Sequence, residues 1–389
     1  MLTKFDEFLC HQTVDPFVQV HTTERNWTEK AYLSAYDTSG KIFVVATCGK
    51  YSNRNVMDAA GGVALPGRQY TVRASRELWP NVDTEKVGPI SYEVVEPLKK
   101  VRMCLGENDY GISFDIEFEG CMSPMEEPGG MTRTRRGRVI INNTVRFYQL
   151  GRGSGKITVE GKTYELKKET CYAYRDRSWG IRSVTGVPPE GSWYFQEGIG
   201  GPESGMMPAF AEVSGSYLGA FISARFKDYC LFYTHAEGRD GKPIPPSIVG
   251  QGGFLVYPEG DPRPPKRITG GQFEFQFIPG TRLVKSVQAV MILEDGTKKE
   301  FSTEPPLESI FYPRALGYNG FRGWWQGKWV GPYAIDGEKL DLTDEKIVDE
   351  LTRGCWADVG SECRCGDEIG YSLLNVCPVG ELPKYGFKI

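Results

Sequence analysis

Hydrophobic residues in this chain recur at every second position, and that period decides most of what the chain can become. Ile112, Phe114, Ile116 and Phe118 alternate with Ser113, Asp115 and Glu117, as in a strand with one dry and one wet face. Phe273, Phe275 and Phe277 repeat the pattern around Glu274 and Gln276. Hairpin signals separate such runs. In ITVEGKTYEL the pair Gly161-Lys162 lies between two alternating arms, and in VMILEDGTKKEF the pair Asp295-Gly296 tolerates the positive φ of a tight turn. Helical pattern is confined to DLTDEKIVDELTR, with Thr343 as N-cap and Ile347, Val348 and Leu351 on one face, and to a short stretch near Phe5–Leu9. An all-β fold with few short helices follows, built as barrels or strongly curved sheets.

The length of 389 residues suits two antiparallel barrels in tandem, at about 150 residues each. Pro188-Pro189 in VTGVPPEGS reads as a linker, so the divide is expected near residue 190, giving a first unit of 1–190 and a second of 191–389. A faint internal echo agrees: a hairpin at 157–166 is followed by DRSWGIR, and one at 287–301 is followed later by RGWWQGKW, residues 322–329.

Charge excludes some functions. A net charge of −4, with Lys and Arg spread along the chain, offers no basic face for nucleic acid. The opening MLTKFDEFLCHQTVDP lacks the segments of a secretory signal, and no apolar run approaches the roughly 20 residues of a membrane helix. A cytoplasmic protein without an integral membrane segment is expected. The ten cysteines have no framework spacing and are expected as free thiols. Cys355, Cys363, Cys365 and Cys377 suggest zinc, yet Cys363-x-Cys365 has the spacing of one strand face rather than of a metal knuckle. With His11, His21 and His235 the only histidines, a histidine-rich metal site is not expected either. Gly151–Lys156, GRGSGK, mimics a phosphate loop but lacks the Ser or Thr and the following helix; it reads as a turn. Neither cofactor nor metal is expected.

The stretch YRDRSWGIR, residues 174–182, is where chemistry concentrates. As a strand it sends Asp176 and Ser178 to one face and Arg175, Arg177 and Trp179 to the other, and Gly180 permits a bulge. Two readings stand. In one, arginine over tryptophan closes a barrel end, with Asp176 as counter-charge. In the other, Asp176 faces an apolar interior that raises its proton affinity and makes it an acid. Glu197, beside Trp193 in SWYFQEGIG, is a second candidate donor. Tyr148 and Gln149 either orient the polar end of a greasy ligand or pair structurally, and His235, before a turn, is either a solvated histidine or a base at a pocket mouth.

The segments HTTERNWTEKAYLSAYDTSGK, FYQLGRGSGKITVEGKTYELKKETCYAYRDRSWGIR and GDEIGYSLLN resemble the tandem lipocalin-like (calycin) proteins, a superfamily of carotenoid 1,2-hydratases and AttH-like proteins with an uncharacterised bacterial branch. Tocopherol cyclases and fungal lipocalin-like Diels–Alderases are more distant members. The hydratase motif D-H-Q-W-G falls on Asp176, Arg177, Ser178, Trp179 and Gly180; the histidine is replaced by Arg177, which cannot shuttle a proton. The resemblance implies two lipocalin-like barrels with a ligand cavity in or between them, and a hydrophobic, alkene-bearing small-molecule substrate. Catalysis would fall to Asp176 and Glu197, and substrate contacts to Trp179, Arg177, Tyr148, Gln149, Trp193 and His235. Three functions remain open: acid-assisted hydration, dehydration or cyclisation; an isomerase or pericyclase that folds its substrate; and a non-catalytic carrier.

Overall fold

The computed structural model describes residues 2–127, 131–133, 140–182, 216–244 and 251–388. The strands of the first half are β1 (Trp27–Asp37), β2 (Phe43–Tyr51), β3 (Val56–Leu65), β4 (Arg68–Glu77), β5 (Lys86–Val87), β6 (Ile90–Glu96), β7 (Lys100–Leu105), β8 (Ile112–Gly120), β9 (Met125–Glu126), β10 (Met131–Arg133), β11 (Ile140–Val159), β12 (Lys162–Leu166) and β13 (Cys171–Arg182). Those of the second half are β14 (Tyr217–Arg225), β15 (Cys230–Gly238), β16 (Gly252–Val256), β17 (Lys266–Phe277), β18 (Val284–Leu293), β19 (Lys298–Thr303), β20 (Ile310–Phe311), β21 (Tyr333–Asp341), β22 (Ala357–Cys365) and β23 (Glu368–Val379). The fold is all-β, as the period of two requires.

The first sheet runs β21-β4-β3-β2-β1-β13-β11-β8-β7-β6-β5 and curls into a half-barrel. Its concave face holds one core, which includes Leu33, Val44, Phe114 and Phe118. Alternation on β8 works as read: Ile112, Phe114, Ile116 and Phe118 are all buried. The second sheet closes. Strands β14 to β19, β22 and β23 form an eight-stranded barrel, because β19 pairs with β22 and β23 with β14. Phe273 and Phe275 lie in its core. The divide expected near residue 190 falls outside the described residues. One strand crosses between the halves of the chain: β21 runs antiparallel to β4, from Tyr333 opposite Arg76 to Asp341 opposite Arg68.

A third core joins the two sheets. The even-numbered residues of β1 and β13 (Tyr32, Tyr36, Tyr172, Tyr174) face away from the half-barrel and pack on Cys230, Phe232, Phe311 and Leu373. Tyr36 stacks on Tyr172 at 5.1 Å and donates to the Ser372 carbonyl at 2.7 Å. Tyr148 stacks on Phe232 at 3.5 Å. Each such ring taken from water contributes about 2 kcal/mol, and the phenolic hydroxyls that find carbonyls keep burial from becoming a penalty.

Local expectations meet several corrections. The helix of DLTDEKIVDELTR, α1 (Glu345–Thr352), is capped by Asp344, which accepts from the Lys346 amide at 2.9 Å; Thr343 is turned back onto Asp341 instead. Near the start only a short 3₁₀ turn forms, Lys4–Glu7. The first hairpin turns at Glu160-Gly161, one residue earlier than read, because Val159 pairs with Lys162 and both turn residues have positive φ. GRGSGK is not a turn but part of β11. Its glycines serve close approach: a Cβ at Gly153 would meet the Cys171 sulfur at 2.9 Å, and one at Gly155 the Asp115 carbonyl oxygen at 1.9 Å.

All ten cysteines are free thiols. Cys363 and Cys365 point into the closed barrel, Cys355 into the core between the sheets, and Cys377 against a separate small cluster. No helix among the described residues is long and apolar enough to cross a membrane.

Candidate functional site between the sheets

Strand parity divides YRDRSWGIR between two tasks. On the half-barrel side, Arg177 pairs with Glu29, donates to the Ser178 carbonyl at 2.7 Å and lies 5.8 Å from the Trp179 ring centroid. Buried Arg175 donates two hydrogen bonds to Gln149 Oε1, at 2.8 and 2.7 Å, between the rings of Phe118 and Phe147. Gln149 in turn donates to the Leu98 and Met122 carbonyls at 2.8 and 2.7 Å. These groups form a clasp whose counter-charge is Glu29. Gly180, at φ 127°, passes so near β11 that a Cβ would lie 2.1 Å from the Asn143 carbonyl oxygen.

Asp176 belongs to the other face. It lies opposite Tyr32 of β1 and Tyr148 of β11, partly exposed, and accepts no hydrogen bond from the described residues. Its charge acts on Lys30, Arg146, Arg182, Glu127 and Asp358, all directed toward the same seam. Lys30 is 2% exposed, with its ammonium 3.5 Å from the Tyr318 ring centroid and hydrogen-bonded to Gln326. Burial, then the neighbouring Arg182, lowers its proton affinity, while Asp58 and Asp176 oppose the change. Arg146 pairs with Glu127 at 3.1 Å.

Two further carboxyls complete the arrangement. Asp58 accepts from the Gly327 amide at 2.7 Å and the Tyr51 hydroxyl at 3.1 Å, yet burial carries its pKa up to about 6. Asp358 is fully buried. It accepts from Tyr32, from Trp356 Nε1 at 3.0 Å and from Asn375. Burial dominates, Asp176 adds to it, and the pKa reaches about 7 despite those donors. The ring of Tyr318 stands edge-on to Trp356 at 5.0 Å and to Tyr32 at 6.0 Å. The seam therefore combines a buried carboxyl whose pKa is raised to about 7, a second carboxyl that no described residue hydrogen-bonds, and aromatic faces suited to a developing cation.

Of the residues singled out from sequence, the structure brings Asp176 and Tyr148 together on the seam. Gln149, Arg177 and Trp179 lie on the opposite face of the first sheet. His235 points into the second barrel, because odd residues of β15 face inward while Cys230 and Phe232 face the seam. Glu197 and Trp193 lie outside the described residues. Sequence reasoning missed Lys30, Asp58 and Asp358. One signal was present: the RGWWQGKW echo supplies Gln326 to Lys30 and the Gly327 amide to Asp58.

A closed barrel and a half-barrel, packed through aromatic rings around buried charges, define an all-β protein with a polar seam between its two sheets. The chain belongs to the family of unknown function DUF8625, whose model matches residues 2–388. No curated protein matches it. Among solved structures it is similar to kievitone hydratase from Nectria haematococca, with TM-score 0.40, 10% identity, and 90% of this chain and 88% of that chain covered. It is also similar to CghA with Sch210972, with TM-score 0.44, 11% identity, and coverage of 92% and 89%.

Proposed function

We propose that the protein is a cofactor-independent enzyme that acts on a hydrophobic, alkene-bearing small molecule by acid-assisted hydration, dehydration or cyclisation in the seam. The observation that carries this reading is Asp358: a fully buried carboxyl with a pKa of about 7, which feels the charge of Asp176, a carboxylate without a partner among the described residues. Asp358 is the proton donor. Its O–H bond breaks as a C–H bond forms at the alkene, and the resulting carbocation is steadied by Tyr318, Trp356 and the Asp176 carboxylate. In hydration, water adds to the cation and loses a proton to Asp176. In cyclisation, a second alkene adds and Asp176 removes the neighbouring C–H proton. Asp176 then releases its proton to solvent and Asp358 regains one.

The test is conversion, followed by mass spectrometry, of a panel of linear polyenes, prenylated phenols and polyketide-like trienes. Hydration adds the mass of one water; cyclisation leaves mass unchanged. Asp358→Asn and Asp176→Asn should each abolish conversion. Conversion that survives both substitutions would instead favour a pericyclase working by orientation alone. Retention without conversion in the unsubstituted protein would favour a carrier.

A further inference from the structure

The end of the closed barrel carries a second arrangement that the seam does not use. Inward-facing His235 and Glu237 of β15 are 4% and 2% exposed, and His235 Nε2 lies 3.1 Å from Glu237 Oε1. The remaining acceptor capacity of Glu237 is taken: Tyr385 donates to Oε2 at 2.6 Å, and Lys384 Nζ lies 3.2 and 3.4 Å from the two oxygens. Burial would raise this carboxyl, but the bonds from His235 and Tyr385, with the charge of Lys384, hold it below the usual range. An ionised carboxylate only accepts, so Nε2 must carry the proton. In the neutral ring that leaves Nδ1 as a lone pair, and no described residue hydrogen-bonds it. The imidazole is fixed further by Phe273, whose centroid is 4.5 Å away. His235, Glu237, Phe273, Ala289, Phe301 and Lys384 share the lining of a cavity of about 750 Å³, within the size range of small-molecule sites.

We infer that this cavity is a second ligand site, separate from the seam, for a small flat molecule with a weakly acidic hydroxyl, a phenol or an enol. The hydroxyl donates to His235 Nδ1, and the ring lies against Phe273 and Phe301. Glu237 does not touch the ligand; it orients the imidazole and stabilises the imidazolium that forms as the ligand's proton moves to Nδ1. Lys384, which also lies 3.7 Å from Glu274, and Arg364 are the cations of a lining that includes the carboxyls of Glu237, Glu274 and Glu300. This inference stands apart from the seam chemistry, since the two sites lie on opposite faces of β15.

The probe is para-nitrophenol, whose anion absorbs at longer wavelength than the phenol, with para-nitroanisole as the analogue lacking the hydroxyl. The protein should bind para-nitrophenol, enhance its anion band and prefer it over para-nitroanisole. His235→Phe should weaken para-nitrophenol about tenfold, the effect of one charge-assisted hydrogen bond, and leave para-nitroanisole unchanged. Asp176→Asn should alter neither. Equal binding of the two probes, undiminished binding by His235→Phe, or loss of binding in Asp176→Asn would each overturn the inference. Should His235→Phe fail to fold, histidine-labelled NMR of the unsubstituted protein decides the matter. With three imidazoles in the chain, para-nitrophenol should move the Nδ1 signal of one ring toward the protonated position, and no movement would overturn the proposal.

Discussion

Replacing Asp358 by asparagine should make the protein more stable in mild alkali and flatten its response to pH. Burial raises the Asp358 pKa from 3.8 to about 7, so between about pH 4 and 7 the folded state holds a proton that the unfolded state has lost. Stability from this group is therefore fully present below the unfolded value and falls as pH rises through the window. At about 1.4 kcal/mol per pH unit, the loss above pH 7 is about 4 kcal/mol. Asparagine cannot ionise and escapes it. The amide also fits: its oxygen can take the place of Oδ1, which accepts from Trp356 and Asn375, and its NH₂ can donate to the Tyr32 hydroxyl oxygen where Oδ2 accepted from it. Exchanging the neutral carboxyl for a neutral amide, whose hydrogen bonds match the three partners less well, costs about 1 kcal/mol. The variant should thus be about 3 kcal/mol more stable than the parent near pH 8 and slightly less stable near pH 4. Urea denaturation at a series of pH values measures both curves. Curves that stay parallel across the window would refute the reasoning, because Asp358 would then carry no proton into neutral solution.

Other substitutions test the division of YRDRSWGIR. Asp176→Asn should remove turnover yet change stability by less than about 1 kcal/mol, since no described residue hydrogen-bonds its carboxylate; a collapse of melting temperature with activity would return Asp176 to the clasp. Gln149→Leu strands the buried Arg175 guanidinium and should cost about 3 kcal/mol by chemical denaturation; a change under about 1 kcal/mol would show that the clasp contributes little. Gly180→Ala should destabilise strongly, because of the positive φ and the Asn143 carbonyl, and unchanged unfolding would contradict that close approach. Cys121 and Cys230, with sulfurs 3.5 Å apart, should be the first pair joined by diamide, as read by peptide mapping without reductant; a different first pair would count against this geometry.

Much of the fold was legible because strands write their faces into sequence one residue at a time. Ile112 to Phe118 told their burial directly, and Asp295-Gly296 told its turn. GRGSGK misled because glycine serves both turns and crowded strands, and its crowding partners, Asp115 and Cys171, are distant in sequence. Asp176 was found by composition, and its face by parity. Its neighbours were not found, since Lys30 and Asp358 reach it only through the register of β1 against β13 and the packing of one sheet on the other. Neither is encoded locally. The clasp was expected to draw on Asp176, but Glu29 took that place, for the same reason.

The pairing of β21 with β4 also sets an order of events. During synthesis the strands β1 to β13 emerge long before residues 333–341, so β4 waits with an open edge, and the aromatic face of the half-barrel waits for its cover. Such an edge invites pairing with another chain. A fragment ending near residue 190 would carry the same defect permanently and should be found in inclusion bodies. The slow contacts of this topology are therefore the ones made last by the ribosome, and folding yield should depend on how long the nascent chain is shielded before its second half arrives.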